Sequence, residues 1–167
     1  MNFTERSPGV LVRVACAEGN DKLIRIDHVG IVSETLDDAT QVLVDKLGFH
    51  LDLVRNAVDR AAENGRTKIK FVKVGIGETR VEILLPEDPT TGIGKFLKKR
   101  GPGLHHICYA SDDLAADAER LQATGLAMIP GEDPEEAGGC FFYPKSMDGI
   151  LTEILAEGRH YPGEDKK

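Results

Sequence analysis

The order of features between Leu23 and Pro86 recurs between Leu104 and Leu155, and this duplication constrains the fold more than anything else in the chain. Each copy opens on a stretch that reads as a strand, over 23–32 and 104–110. Ile26, His28, Gly30 and Val32 share one face of the first, and Leu104, His106, Cys108 and Ala110 share one face of the second. Alternation puts Asp27 and His105 on the opposite faces. A helix follows each strand. Over 35–47, Leu36, Ala39, Leu43 and Leu47 recur at helical spacing; over 112–124, Leu114, Ala118 and Leu121 do so. Gly48 and Gly125 stand at the helix stops, 20 residues after His28 and 19 after His106.

Three further strands complete each copy: 49–55, 68–74 and 79–85 in the first, then 126–130, 139–143 and 150–155 in the second. Between them, 56–66 reads as a polar loop or a short helix around 58–62, 132–138 as an acidic loop, and 144–149 as a turn. A βαβββ unit cannot bury a curved sheet alone. Two joined edge to edge form one continuous, partly closed sheet with helices outside and a cleft inside. The predicted fold is therefore α+β, a mixed sheet built from two tandem modules. Residues 1–22 form an extension with a short strand over 10–15, an extra edge strand or an interface element. Module one spans 23–86, a linker with a helix over 93–100 spans 87–101, module two spans 102–157, and a polar tail runs over 158–167.

The last strand of each copy carries one carboxylate between apolar residues, Glu82 in Val81-Glu82-Ile83 and Glu153 in Thr152-Glu153-Ile154. Either one alone is explained as a solvent-facing residue, and a lone strand histidine is most simply a core residue. Taken twice over, one histidine on the first strand and one glutamate on the last give His28, Glu82, His106 and Glu153. Pseudo-twofold symmetry brings these to one point. Two imidazoles and two carboxylates suit Mn²⁺, Co²⁺, Ni²⁺, Zn²⁺ or Fe²⁺, with two open octahedral positions. Gly30, Cys108 and Ala110 beside the histidines leave room for a ligand.

A net charge of -7 argues against nucleic acid as a partner, which needs a concentrated basic surface. The absence of Trp argues against a surface built on stacked aromatics. Cys16, Cys108 and Cys140 have no CxxC spacing, so neither a disulfide framework nor a zinc knuckle is indicated. With no apolar run resembling a signal segment or a membrane span, the expectation is a soluble cytoplasmic protein.

Several segments together resemble the methylmalonyl-CoA epimerase family of the vicinal oxygen chelate superfamily, which also contains glyoxalase I. They are Ile26-Asp27-His28-Val29-Gly30-Ile31, Gly103-Leu104-His105-His106-Ile107, Tyr143-Pro144-Lys145-Ser146 and Gly149-Ile150-Leu151-Thr152-Glu153-Ile154. The resemblance implies one divalent ion per chain, Co²⁺ or Mn²⁺ first, held by His28, Glu82, His106 and Glu153 in a cleft of the vicinal oxygen chelate fold. It implies epimerisation of methylmalonyl-CoA or a close 2-substituted malonyl-CoA, by proton abstraction alpha to the thioester through a metal-stabilised enolate. Glu153 is the first choice as base. Some family members carry a second carboxylate on the third strand of module one, where this chain has Lys68, Lys70 and Lys73. Glu82, Glu63 or one of those lysines is left to act as the second acid or base.

Lys98, Lys99, Arg100 and Lys145, with Ser146, are candidates for binding the phosphates and acyl chain of the coenzyme A thioester; solvation of a basic helix end explains the first three equally well. His105 is expected to pack or hydrogen-bond behind the sheet. A homodimer is implied by resemblance alone. The competing readings are a glyoxalase-type lyase or isomerase on a thiol adduct and a non-catalytic small-molecule-binding protein. The second has no reason to keep all four candidate ligands. An extradiol dioxygenase fits less well, because it uses three ligands within one module.

Overall fold

A computed structural model of the chain describes residues 23–159 apart from Asn64 and Glu132. The extension over 1–22, with its expected strand, lies outside the described residues, as does the tail beyond Arg159. Eight strands form one mixed sheet: β1 (Leu23–Val32), β2 (His50–Leu51), β3 (Arg60–Ala62), β4 (Thr67–Lys73), β5 (Arg80–Pro86), β6 (Gly103–Ser111), β7 (Gly139–Phe142) and β8 (Leu151–Ala156). Their order is β2-β4-β5-β1-β6-β8-β7, with β3 paired to β4, and the sheet ends without closing. At its centre β1 and β6 run antiparallel. Each carries a parallel neighbour on its outer side, β5 beside β1 and β8 beside β6. The fold is α+β, as the duplicated pattern predicts.

The helices divide between the two faces. Helix α1 (Leu36–Gln41) starts on Thr35, whose hydroxyl accepts from the Asp38 amide at 3.0 Å, and continues as a π-helical turn over Val42–Lys46. Its Leu43 packs on Val72 and Ile83. Helix α3 (Leu114–Ala123) buries Leu114 and Ala118 against Cys140, Phe142 and Ile154. Both therefore cover the face away from His28 and His106. Helix α2 (Gly92–Arg100) instead packs Ile93 on Val32 and Leu84, the strand positions that share a face with His28 and Glu82. It therefore lies on the same face as the histidines. The short helix α4 (Pro134–Ala137) stands within the segment expected to be a loop, started by Asp133, whose carboxylate accepts from the Glu135 amide at 2.9 Å.

Two expected strands are corrected. The 49–55 stretch contributes only the two residues of β2, because Asp52 turns the chain. Its carboxylate accepts from the amides of Val54 and Arg55 at 3.1 and 2.9 Å, and a 3₁₀ turn follows over Arg55–Ala57. The 126–130 stretch makes only an isolated bridge, Met128 to Phe142, since the Ala127 amide is taken by the Ser146 hydroxyl and Pro130 has no amide to give. Conversely, the expected loop or helix around 58–62 holds β3, a hairpin partner of β4. Among the described residues no helix is long and apolar enough to cross a membrane.

Phe142 is fully buried in the cluster under α3. Truncating it to Ala is expected to cost roughly 3–5 kcal/mol of stability, read as a lower urea midpoint at unchanged slope.

Candidate metal centre

The seam between β1 and β6 decides what meets at the centre of the sheet. Across it Gly30 pairs with His106 and His28 with Cys108. The parallel neighbours then supply the carboxylates: β5 sets Glu82 beside Gly30, and β8 sets Glu153 beside Cys108. The Nε2 atoms of His28 and His106 stand 3.1 Å apart. Glu153 Oε2 lies 3.2 Å from the first and 3.1 Å from the second. Glu82 Oε2 lies 3.4 Å from each. His28, His106 and Glu82 are buried, while the Glu153 side chain keeps 13% of its surface exposed.

These separations fit a divalent ion. Bonds of about 2.0–2.2 Å to imidazole nitrogen and carboxylate oxygen set neighbouring ligand atoms roughly 3 Å apart, which is the spacing here. His28, His106 and Glu153 form the tightest group, each offering a ligand atom within 4.8 Å of the others. The donor set is the mixed nitrogen and oxygen type that borderline ions accept.

The electrostatics demand positive charge at this point. Burial by itself would raise the carboxyls of Glu82 and Glu153. The charge and hydrogen bonding of His28, with the charge of His106, outweigh it and hold Glu82 below the usual carboxylate range, against repulsion from Glu153. Hydrogen bonds from His106 and His28 do the same for Glu153. Burial would lower His28, yet its imidazole is driven well upward by the Glu82 charge and by hydrogen bonds to Asp27, Cys108 and Glu153.

Each imidazole has two further neighbours that period-two reading missed. The register shifts on either side of the seam leave Asp27 and His105 as the extra residues of two β-bulges. A bulge re-aims the side chain it carries, so neither residue faces away as alternation predicts. Asp27 Oδ1 accepts from His28 Nδ1 at 2.9 Å, and the Nδ1 atoms of His105 and His106 are 2.9 Å apart. The expectation that His105 sits behind the sheet is thus corrected: it touches the cluster's own imidazole. Burial first, then the His106 charge, pushes His105 down to about 4. Phe71 and Phe141 present ring edges to His28 and His106, each with centroids 5.8 Å apart. Their registers, Phe71 opposite Glu82 and Phe141 opposite Glu153, repeat the duplication.

Residues 27–143 match the family model described as the Glyoxalase/Bleomycin resistance protein/Dioxygenase superfamily. The chain is 31% identical over 134 residues to the mitochondrial methylmalonyl-CoA epimerase of Dictyostelium discoideum, covering 78% of this chain and 76% of the relative. It belongs to the methylmalonyl-CoA epimerase family of that superfamily. The ethylmalonyl-CoA/methylmalonyl-CoA epimerase of Cereibacter sphaeroides is 27% identical, over 78% of this chain and 96% of its own. Among solved structures, a variant of the Streptomyces coelicolor methylmalonyl-CoA epimerase in complex with 2-nitronate-propionyl-CoA superposes with a TM-score of 0.69. It is 26% identical, with 81% of this chain and 99% of that chain covered. The chain is accordingly an enzyme of the isomerase class.

Seen as an epimerase-family fold, the remaining candidates separate. Lys98, Lys99 and Arg100 are exposed in the last turn of α2, and Arg100 lies over the Phe96 ring, 5.6 Å from its centroid. Phe96 in turn meets His105 edge-on at 4.9 Å. Lys145 is exposed on the 3₁₀ turn Pro144–Ser146. The Ser146 hydroxyl is committed within the fold, donating to the Tyr143 carbonyl and accepting from the Ala127 amide, each at 3.0 Å. Glu63 also serves the fold. Its two carboxylate oxygens accept from the Ile93 amide at 3.2 Å and the Thr67 hydroxyl at 2.8 Å, which fixes the start of α2. Lys68 pairs with Glu87 at 2.6 Å and Lys70 with Asp37 at 4.0 Å. Both alternate with Phe71 and so lie on the helix-covered face, away from the cluster.

The space beside Gly30 is not left for a ligand, as composition suggested, because the His106 ring fills it. A Cβ at Gly30 would lie within 2.8 Å of three His106 ring atoms. The substitution Gly30→Ala is therefore expected to push the imidazole out of the cluster. A crystal structure of the variant would show His106 Nε2 moved away from Glu153, and calorimetric titration would show weaker uptake of Co²⁺ than by the native protein.

Proposed function

We propose that this chain is a metal-dependent epimerase of methylmalonyl-CoA or of a close 2-substituted malonyl-CoA. One observation carries the reading: His28, Glu82, His106 and Glu153 converge at 3.1–3.4 Å in a chain whose relatives are named for that reaction. Those four residues would hold a divalent ion, Co²⁺ or Mn²⁺ first, with Ni²⁺, Zn²⁺ and Fe²⁺ also suited to the donors. Bound there, it supplies Lewis-acid stabilisation for the negative charge that builds on the thioester oxygen as the α-proton leaves.

The chain's own groups handle the proton. Glu153, the most exposed of the four, takes it from the α-carbon as general base. Its hydrogen bonds from the two imidazoles keep it ionised and ready to accept. Inversion also needs a proton given to the opposite face; Glu82 is assigned that role, entering the turnover protonated, and solvent then restores a proton to Glu82 and removes the one on Glu153. The two carboxylates stand on β5 and β8 with β1 and β6 between them, so they approach the substrate from different halves of the sheet. Glu63 is fixed at the start of α2, Lys68 and Lys70 lie on the far face, and Lys73 shares the face of Phe71 but stands opposite Arg80 at the end of β4; Glu82, beside both imidazoles, is the second carrier in this reading. Lys99, Arg100 and Lys145 are exposed cations, and this reading assigns them to the phosphates of coenzyme A. Ser146 holds the turn that presents Lys145.

Two outcomes are expected. The protein with one equivalent of Co²⁺ should take up deuterium at C2 of methylmalonyl-CoA in heavy water, and Glu153→Gln should slow that exchange by about 10²-fold or more while the fold is retained. Bound metal without exchange on native protein would remove the substrate assignment. Second, the proton that His28 holds and the divalent ion compete for one place. Because the His28 affinity for protons is raised, metal uptake at neutral pH should release protons and tighten as pH rises. Titration with Co²⁺ in weakly buffered solution at several pH values measures both.

A further inference from the structure

Neighbouring residues on a regular strand point to opposite faces, so a residue next to a ligand histidine does not reach the ligand's ring. Here it happens twice. One bulge makes Asp27 the extra residue of β1 immediately before His28, and another makes His105 the extra residue of β6 immediately before His106. In both cases the extra residue meets Nδ1 of the histidine that follows, at 2.9 Å. In both cases Nε2 is the atom aimed at Glu82 and Glu153. The two outer partners are themselves anchored. Asp27 receives a two-pronged hydrogen bond from the fully buried Arg55, at 2.8 and 2.9 Å, and a further contact from Arg25 at 3.0 Å. His105 is braced by the edge-on Phe96 ring of α2.

We infer that Asp27 and His105 are the positioning residues of the site, each using its bulge to keep Nδ1–H on the adjacent histidine and so to present Nε2 to the metal. This rests on the metal reading above and adds to it. A histidine bound through Nε2 must carry its proton on Nδ1 and needs an acceptor there. Asp27 is such an acceptor for His28. His105 is one for His106 when its own Nδ1 is bare and its proton sits on Nε2. The repeat therefore duplicates the support of the ligand as well as the ligand, with unlike chemistry: an arginine-anchored carboxylate behind His28 and an imidazole behind His106.

The probe is Co²⁺, added to the full chain and measured by competition with a chromophoric chelator and by proton NMR of the loaded protein. Native protein should show two hyperfine-shifted N–H resonances that vanish in D₂O, one from each Nδ1–H. The substitution His105→Phe keeps a ring for Phe96 and removes the acceptor. It should weaken Co²⁺ binding by about tenfold and broaden one of the two resonances by solvent exchange, and His105→Gln, which restores an acceptor, should recover both. Asp27→Asn should cost about 10–100-fold and affect the other resonance. Asp27 also neutralises a buried arginine, so His105→Phe, at a half-buried position, decides the matter if Asp27→Asn does not fold. Native affinity together with both resonances in His105→Phe would overturn the inference while leaving the metal site in place. Failure of the native protein to bind Co²⁺ would overturn the metal reading and this inference together, and it shows before any substitution is made.

Discussion

Two carboxylates, Glu82 and Glu153, stand at the middle of a sheet within 3.4 Å of the same pair of imidazoles, and keeping both ionised there requires positive charge beside them. Taking an ion out of water costs several kcal/mol after relaxation, and leaving one half of a buried pair alone costs about 3–5 kcal/mol. Whole domains are stable by only about 5–15 kcal/mol. The sheet centre is therefore where the fold has least freedom, and the neighbouring elements serve to fix charge there. His28 answers part of the demand with its upshifted proton affinity, which offsets one of the two carboxylate charges and leaves a proton that a cation can displace.

The demand spreads outward along one line in module one. Asp27 adds a third buried negative charge behind His28, and Arg55 and Arg25 balance it. Burial would raise Asp27, but its hydrogen bonds with His28 and Arg55 hold it far below the usual range. Arg55 needs a support of its own, and the Phe71 ring lies under its guanidinium at 5.3 Å to the centroid. The same ring meets His28 edge-on, so one aromatic packs against both ends of the Arg55–Asp27–His28 chain. Asp52, which turns the chain into the 3₁₀ segment bearing Arg55, is itself ion-paired with the buried Arg80. The failure of 49–55 to form a strand is thus the local condition for putting Arg55 where Asp27 needs it.

This explains which parts were legible in the sequence. The duplication could be read because it is carried by residues in regular strands and helices, where spacing equals geometry: His28 and His106, Glu82 and Glu153, Gly48 and Gly125. The bulges at Asp27 and His105 break that rule, so period-two reading turned both side chains the wrong way although it placed the next residue correctly. Arg55 was hidden for a different reason, since only a tertiary contact distinguishes it from any other arginine in a polar stretch. Gly30 gave a true signal that was misassigned: a small residue beside a histidine does mean space, but the space is filled by the histidine of the other module. Phe71 and Phe141 lie 11 and 12 residues before Glu82 and Glu153, an offset as regular as that of the glycines. That signal was available.

The duplicated halves are not equivalent, and the difference has a direction. Behind His28 stands a fixed negative charge held by two arginines; behind His106 stands an imidazole that burial keeps from charging near neutral pH. A carboxylate acceptor makes the histidine it supports a stronger electron donor than a neutral acceptor does. The cluster is therefore electron-rich on the side of module one and softer on the side of module two, where Glu153 also keeps its exposure. A fully symmetric cluster would offer an incoming anionic substrate two equal sides. Here the more exposed carboxylate, Glu153, and the uncharged His105, which meets Phe96 of α2, both belong to module two. The repeated register accounts for the shared geometry. The inequality of Asp27 and His105 is what would give such a site a preferred direction of approach.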